Sequence, residues 1–175
     1  MIGEEMEKQE TFEFQVQMTA RDLWHFSLYH ANRGYLGFFN LLFTLAAVFL
    51  LITTWSQNTT AYRVLLVVLA LLFPVWQPFQ LYLKAKRQAS LEVMKAPVYF
   101  VFQQSGLHIE QADQSQDLTW DQVVRVEGNR WMLMIYMDRI HAFLVPETAM
   151  NGQRSEFCQM LKEVLPKEKR KRIER

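Results

Sequence analysis

The polar and apolar residues of this chain follow three different periods, and each period predicts a different kind of element. Thr11 to Met18, TFEFQVQM, alternates strictly, with Phe12, Phe14, Val16 and Met18 on one face and Glu13, Gln15 and Gln17 on the other. That is the period of a half-buried strand. A lone strand has no stability in water, so it must join a sheet built beyond residue 95, either in its own chain or in a neighbouring copy. Thr19 to Arg33 opens with Thr19 and Asp22 in the spacing of a capping box and predicts an amphipathic helix. Its Trp24, Phe26, Leu28 and Tyr29, with Arg21 and Arg33, suit a membrane boundary. His25 and His30, five apart, point in different directions from such a helix and are not expected to share a metal.

The apolar residues then become continuous. Tyr35 to Trp55 carries no charge and as a helix spans about 31 Å, close to the roughly 30 Å hydrocarbon core of a bilayer. Tyr35 and Trp55 stand at its ends, where amphipathic rings favour the headgroup boundary. Val64 to Leu83 is a second uncharged run. The polar connector between them is too short to hold a domain, so the two runs predict a transmembrane hairpin with both arms on one side. Arg21 and Arg33 flank the first run and Lys84, Lys86, Arg87 and Lys95 follow the second, against Arg63 alone in the connector. The positive-inside rule then places both termini in the cytoplasm. Pro74 and Pro78, with Gln77 and Gln80, either kink the second helix along a polar path or mark an ordinary helix whose last turns reach the interface.

From Val98 the period shortens to two again. VYFVFQ (98–103), GLHIEQ (106–111), LTW (118–120), VVRVEG (123–128), RWMLMIYM (130–137) and HAFLVP (141–146) read as strands, separated by the turn sequences QSG, ADQSQD, EGN and MDR. Connections this short predict an antiparallel meander. Phe157, Met160, Leu161, Val164 and Leu165 then recur at helical spacing before Pro166, a closing amphipathic helix. Trp120 and Trp131 stand inside apolar strand patterns and read as core aromatics, with ligand stacking as the alternative.

The resulting organisation is a cytoplasmic strand and amphipathic helix over 1–33, a first transmembrane helix over 34–56, an extracytoplasmic connector over 57–63 and a second transmembrane helix over 64–83. A basic juxtamembrane linker (84–97), a C-terminal β domain (98–166) and a basic tail (167–175) follow. The first apolar run begins too late and is too long for a cleavable signal.

Composition adds little to this picture. The 175 residues carry a formal net charge of +1 and a single cysteine, Cys158, which excludes an intrachain disulfide and reads as a buried structural thiol in the last helix or, alternatively, a reactive one. No phosphate-binding glycine loop, paired cysteines, His-Glu-x-x-His or Gly-x-Ser-x-Gly occurs, so catalysis and a cofactor are not expected. The tail is distinctive, because Lys167, Lys169, Arg170, Lys171 and Arg172 fall within a few residues. With Lys84, Lys86, Arg87 and Lys95 they are candidate contacts to anionic lipid, the alternative being a solvated, disordered tail. Without interleaved aromatics the tail does not indicate nucleic acid.

The order of these parts, with Gly106-Leu107, the Leu118-x-Trp120-x-x-Val123 step, Ile135-Tyr136 and the Leu144-Val145-Pro146 exit, resembles the YcxB-like membrane proteins of bacteria. The resemblance implies a cytoplasmic domain similar to a pleckstrin-homology (PH) domain, a partly open seven-stranded β barrel capped by one helix, with Thr11 to Met18 as an edge strand. It implies a bacterial inner-membrane location and no reaction. Phosphoinositide-binding PH domains hold the headgroup with Lys and Arg around the first hairpin. Here that hairpin, FQQSGLHIE, has none, so that site is not expected.

The fold class expected is therefore an α+β membrane protein. It joins a two-helix transmembrane hairpin to a cytoplasmic PH-like antiparallel β barrel capped by a C-terminal helix. The expected partners are membrane lipids and a protein of unknown identity, and a homo-oligomer is compatible with the pattern. Three functions fit: a docking module for a protein partner, an anionic-lipid-responsive protein, or an accessory subunit of a transporter or membrane enzyme.

Overall fold

The computed structural model describes residues 11–139 and 141–173. They form a mixed α+β protein in two compact units, the chain up to Met18 together with Glu92 onward in one, and Thr19–Leu91 in the other. The alternating strand and the capped helix, neighbours in sequence, thus fall in different units.

In the helical unit, α1 (Ala20–Ala31) begins with the capping box that its sequence predicts. The Asp22 N–H donates to Thr19 Oγ1 at 3.2 Å and the Thr19 N–H to Asp22 Oδ2 at 3.0 Å, which satisfies two of the first-turn donors reciprocally. The turn into α2 (Gly34–Thr53) depends on glycine. Gly34 has φ +64°, and a Cβ on Gly37 would lie 2.1 Å from the Asn32 carbonyl oxygen. After the connector, α3 (Thr60–Leu71), a π-helical turn (Leu72–Trp76) and α4 (Gln77–Ala89) run on as one helix of 30 residues, about 45 Å long. It and α2 are long and apolar enough to cross a membrane. Their large side chains face outward: Phe49 is 65% exposed and Ile52 71%. Helix α1 packs on α4, where Trp24 Nε1 donates to the Pro78 carbonyl at 2.9 Å and its ring meets Tyr82 edge-on at 5.9 Å.

Among its described residues the other unit holds eight strands. β1 (Phe12–Val16), β2 (Val98–Gln103), β3 (Gly106–Gln111) and β4 (Gln114–Thr119) form one antiparallel sheet in chain order. Within it Phe14 stands opposite Phe100 and Val16 opposite Val98, so the first strand pairs within its own chain. β5 (Arg125–Gly128), β6 (Met132–Tyr136), β7 (Ala142–Pro146) and the two-residue β8 (Arg170–Lys171) form the second, ordered β7-β6-β5-β8. Phe12, Phe14, Phe102, Leu118, Trp120, Leu133 and Ile135 meet Phe157, Met160 and Leu161 of α6 (Arg154–Val164) in one core. Phe102 packs 4.5 Å from Phe157, ring centre to ring centre.

Three sequence expectations are corrected here. The barrel does not close. Among the described residues the strands divide into two four-stranded sheets with no ladder between them. The reason lies in the turn after β4. Gln122 Oε1 accepts from the Thr119 N–H at 3.0 Å, its own N–H reaches Thr119 O at 3.1 Å, and Val123 N–H reaches Trp120 O at 3.3 Å, so the chain turns away and β5 begins in the other sheet. The segment ADQSQD is not all turn. Only Ala112 and Asp113 lie between Gln111 and Gln114, which stand opposite each other, and the remainder is strand β4, polar because four of its first four residues are exposed. Trp131 is not a core residue. The strand starts at Met132, leaving Trp131 half-buried in the preceding turn with the Arg130 guanidinium 4.3 Å over its ring. Trp120 is in the core as expected, stacked on Phe102 and donating from Nε1 to Gln103 O at 3.0 Å.

Candidate functional site

Among the described residues the first sheet of the β unit ends in an open edge at β4. A two-residue turn makes its flanking pair, Gln111 and Gln114, a hydrogen-bonded pair. In an antiparallel ladder bonded and non-bonded pairs alternate. Gln116 and Leu118 therefore bond back to Ile109 and Leu107, while the N–H and C=O of Ser115, Asp117 and Thr119 point away from β3. Thr119 provides a check, since its N–H and C=O are both taken by Gln122. Ser115 and Asp117 are left presenting backbone donors and acceptors at the outer side of β4, a strand whose one ladder partner among the described residues is β3.

The side chains beside this edge are uncharged on the inner face. Leu107 and Ile109 of β3 and Leu118 of β4 are buried, but the same inward rows continue as Gln111, Gln114 and Gln116, where a second layer would normally place apolar residues. The two sheets are open there. A cavity of about 620 Å³ lies between them, with Ile109 and Phe143 as its apolar lining and Gln111, Asp113, Gln114, Ser115 and Gln116 as its polar lining, Asp113 being the one charged residue. Gln111 is held by two backbone carbonyls, Val93 O at 2.9 Å and Ala96 O at 3.3 Å. On the outer face Asp117 sits opposite His108, Oδ1 2.6 Å from Nδ1. An added strand would thus find free backbone groups, an apolar floor and amide side chains together.

The candidate lipid contacts are distributed differently from one another. Lys84, Lys86 and Arg87 are exposed on the last turns of α4. Lys95 is exposed in the short helix α5 (Glu92–Lys95) and pairs with Glu92 at 2.6 Å. As far as Ile173 the tail is held by the β unit and is not a free polybasic segment. Arg170 and Lys171 form β8, parallel to β5, and Ile173 is buried. Lys169 Nζ donates to Trp120 O at 3.3 Å and Asp121 O at 3.1 Å, and Arg170 donates to Lys162 O at 2.9 Å, so these two charges serve to hold the tail. Lys167, Lys171 and Arg172 remain exposed. The last two residues of the predicted tail, and residues 1–10 of the predicted N-terminal segment, lie outside the described residues.

Cys158, in α6, is buried and its thiol donates to Ile173 O at 3.0 Å. Burial pushes the thiol above its ordinary pKa, against the opposing pull of the Arg154 and Lys162 charges. A thiol so protonated is a poor nucleophile.

In the helical unit Pro74 lies within the π turn of the second apolar helix and Pro78 in the first turn of α4 that follows it. Pro74 has no N–H to donate and its ring crowds the preceding turn; the helix widens there, and the Gln77 N–H reaches back five residues to Leu72 O. Gln77 Oε1 then accepts from Asn40 Nδ2 at 3.4 Å, and the same amide lies 3.5 Å from Asn32 Oδ1. Asn40 is 8% exposed, the polar group most enclosed in this part of the unit, beside a cavity of about 200 Å³ lined by Thr44, Phe73 and Pro74. Sequence reading passed over Asn40 because one amide barely alters a 20-residue apolar average. The signal that points to it is its position in α2 opposite the Pro74–Gln77 segment. The β4 edge was missed for a related reason, as polar residues in a strand give no alternation to read. Comparisons of the chain with protein-family models, with curated proteins and with solved structures find no match.

Proposed function

We propose that this chain is a bacterial inner-membrane protein of the YcxB-like kind, with both termini cytoplasmic and a PH-like β unit that docks an extended segment of a protein partner along β4. The reading is not enzymatic. The observation that carries it is the open β4 edge, where the outward backbone groups of Ser115 and Asp117 adjoin a cleft between the sheets. Strand addition of this type draws affinity from backbone hydrogen bonds and selectivity from alternate side-chain positions. The inner positions of an added strand would meet Ile109, Phe143 and the glutamines, which favours alternating apolar and amide side chains. The membrane part of the proposal is supported by two outward-apolar helices of spanning length and by Lys84, Lys86 and Arg87 after the second, as the positive-inside rule expects.

A second reading, response to anionic lipid, is favoured by the same exposed Lys84, Lys86 and Arg87. Two of the tail's cations are engaged within the β unit, which reduces what the tail adds to it.

Native mass spectrometry of the full-length protein extracted with its surrounding membrane tests the proposal, using Asp117→Pro as the discriminating variant. Proline there removes an outward N–H while leaving the β3–β4 ladder bonds in place. A polypeptide retained by the wild type and lost in Asp117→Pro, with unchanged thermal unfolding, is the expected result. Retention of the same polypeptide by both forms overturns the β4 assignment. Retention of anionic lipid alone, lost when Lys84, Lys86 and Arg87 are neutralised, moves the assignment to the lipid reading.

A further inference from the structure

A second cavity, of about 520 Å³, lies within the β unit at the start of α6. It is bounded by Arg130 from the β5–β6 turn, Glu147 from the turn after β7, Arg154, Ser155 and Lys162 from α6, and Ile173 from the docked tail. We propose that it binds a phosphate-bearing anion.

Charge is the first argument. Arg130, Arg154 and Lys162 bring three cationic side chains to one cavity, where Glu147 is the carboxylate beside Arg154. Arg154 is positioned for this by its own partners. One guanidinium nitrogen donates to Glu147 and another to Asn129 O at 2.7 Å, so the head group is fixed before any ligand arrives. Such fixed guanidinium groups suit phosphate oxygens, which accept strong charge-assisted hydrogen bonds. The Arg130 guanidinium lies 4.3 Å over the Trp131 ring, which restrains its head as well.

The backbone supplies the second argument. α6 starts at Arg154 with no side-chain cap from Gln153, so its first-turn amides, among them that of Ser155, have no capping side chain. Amides and the helix dipole there favour an anion. The charge of the site also reaches the interior, because Arg154 and Lys162 both act on the Cys158 thiol, another wall of the cavity.

The tail completes the enclosure. Ile173 forms part of the wall only because β8 lies along β5 and the Cys158 thiol holds its carbonyl. The C-terminal segment is therefore a structural wall of the anion site in addition to carrying charge. None of these residues lies on β4, so the site stands or falls separately from the docking edge.

Two sources carry this chemistry, a lipid headgroup and a soluble phosphate, and one experiment separates them. Full-length protein in phosphatidylcholine nanodiscs at low ionic strength is titrated calorimetrically with inorganic phosphate, then again in nanodiscs containing phosphatidic acid. Saturable binding is expected in the first case, weakened about ten-fold or more in Arg130→Gln/Lys162→Gln, the change expected for losing charge-assisted contacts. Both side chains are exposed, so the variant should fold as the wild type does. If its thermal transition shifts, Ser155→Ala replaces it, with an expected weakening of about three-fold for one lost donor. Loss of phosphate binding when phosphatidic acid is present identifies the lipid headgroup as the source, and its persistence identifies a soluble phosphate. Absence of saturable binding in phosphatidylcholine, or equal binding by the variants, overturns the site.

Discussion

The two units bury opposite chemistry. In the β unit the large apolar side chains are inside: Phe102, Leu133, Ile135 and Phe157 have no exposed surface, and the exposed rows of β1 and β4 are polar. In the helical unit Phe38, Phe49, Ile52 and Leu65 face outward while Asn40 and His25 are enclosed. A chain folding in water alone gains nothing from the second arrangement, since exposed hydrocarbon carries a cost of about 25 cal/mol per Å². Surrounded by lipid, the same arrangement costs nothing on the outside and gathers the polar groups where they can pair. The two units thus differ in which side chains they enclose, and the membrane reading proposed above accounts for that difference.

A matched pair of substitutions offers the largest break of this contrast. Phe102→Ala removes a ring that packs on Phe14, Phe100, Trp120 and Phe157 and should destabilise the β unit by about 3–5 kcal/mol. Phe49→Ala, on the outward face of α2, should change stability by less than about 0.5 kcal/mol. Thermal unfolding of both variants in the same detergent measures the difference. Similar effects at the two positions would mean that Phe49 is covered by protein, and the hairpin would then be part of a larger buried helix assembly.

A charge placed on the outward face sharpens the same point. Leu45 lies at the middle of α2 and is 57% exposed. In a bilayer Leu45→Arg should cost about 3 kcal/mol of insertion free energy, read as a fall in the membrane-inserted fraction. If the outward face of α2 met water, the change would raise solubility and leave folding intact. That outcome would break the membrane reading directly.

The sequence disclosed these units unequally, and the reason is the period of each pattern. The continuous apolar runs at 35–55 and 64–83 need only composition to be seen, and α2 and the 30-residue helix occupy them. The alternation of Phe12, Phe14 and Val16 likewise marked β1, although only the register with β2 could place it in its own chain. Only the end of β4 was legible, as LTW (118–120); its first four residues, Gln114, Ser115, Gln116 and Asp117, are polar on both faces, so that part is set by its hairpin with β3 and carries no hydrophobic signature. The same strand supplies the candidate docking edge, so the part of the site that mattered most was the part least legible. The basic tail misled in the other direction. Its charges are conspicuous in sequence, yet what holds it is the burial of Ile173, the carbonyl partners of Lys169 and Arg170, and a glycine across from it.

That glycine carries the smallest and most specific test. A Cβ on Gly128 would lie 2.7 Å from Arg172 O and 2.8 Å from the Ile173 Cα, both backbone atoms, so Gly128→Ala must displace the tail. The cost should be about 1–3 kcal/mol, the range for overpacking a tight site, and limited by how much β8 and Ile173 contribute. Cys158 reports the displacement without any added probe, as the chain has one cysteine. In the wild type, burial raises the thiol's pKa over the opposing effect of Arg154 and Lys162. The stabilisation linked to this raised value is fully present below the unfolded thiol's pKa and is lost as pH climbs through the folded one. With the tail displaced, the desolvation is relieved while both cations remain, and the thiol should titrate lower. Alkylation of Gly128→Ala by a maleimide should therefore begin at lower pH than in the wild type, and its stability should fall less between neutral and alkaline pH. Identical alkylation profiles would mean that the tail does not seal the thiol, and the wall it forms beside Arg130 and Lys162 would lose its basis.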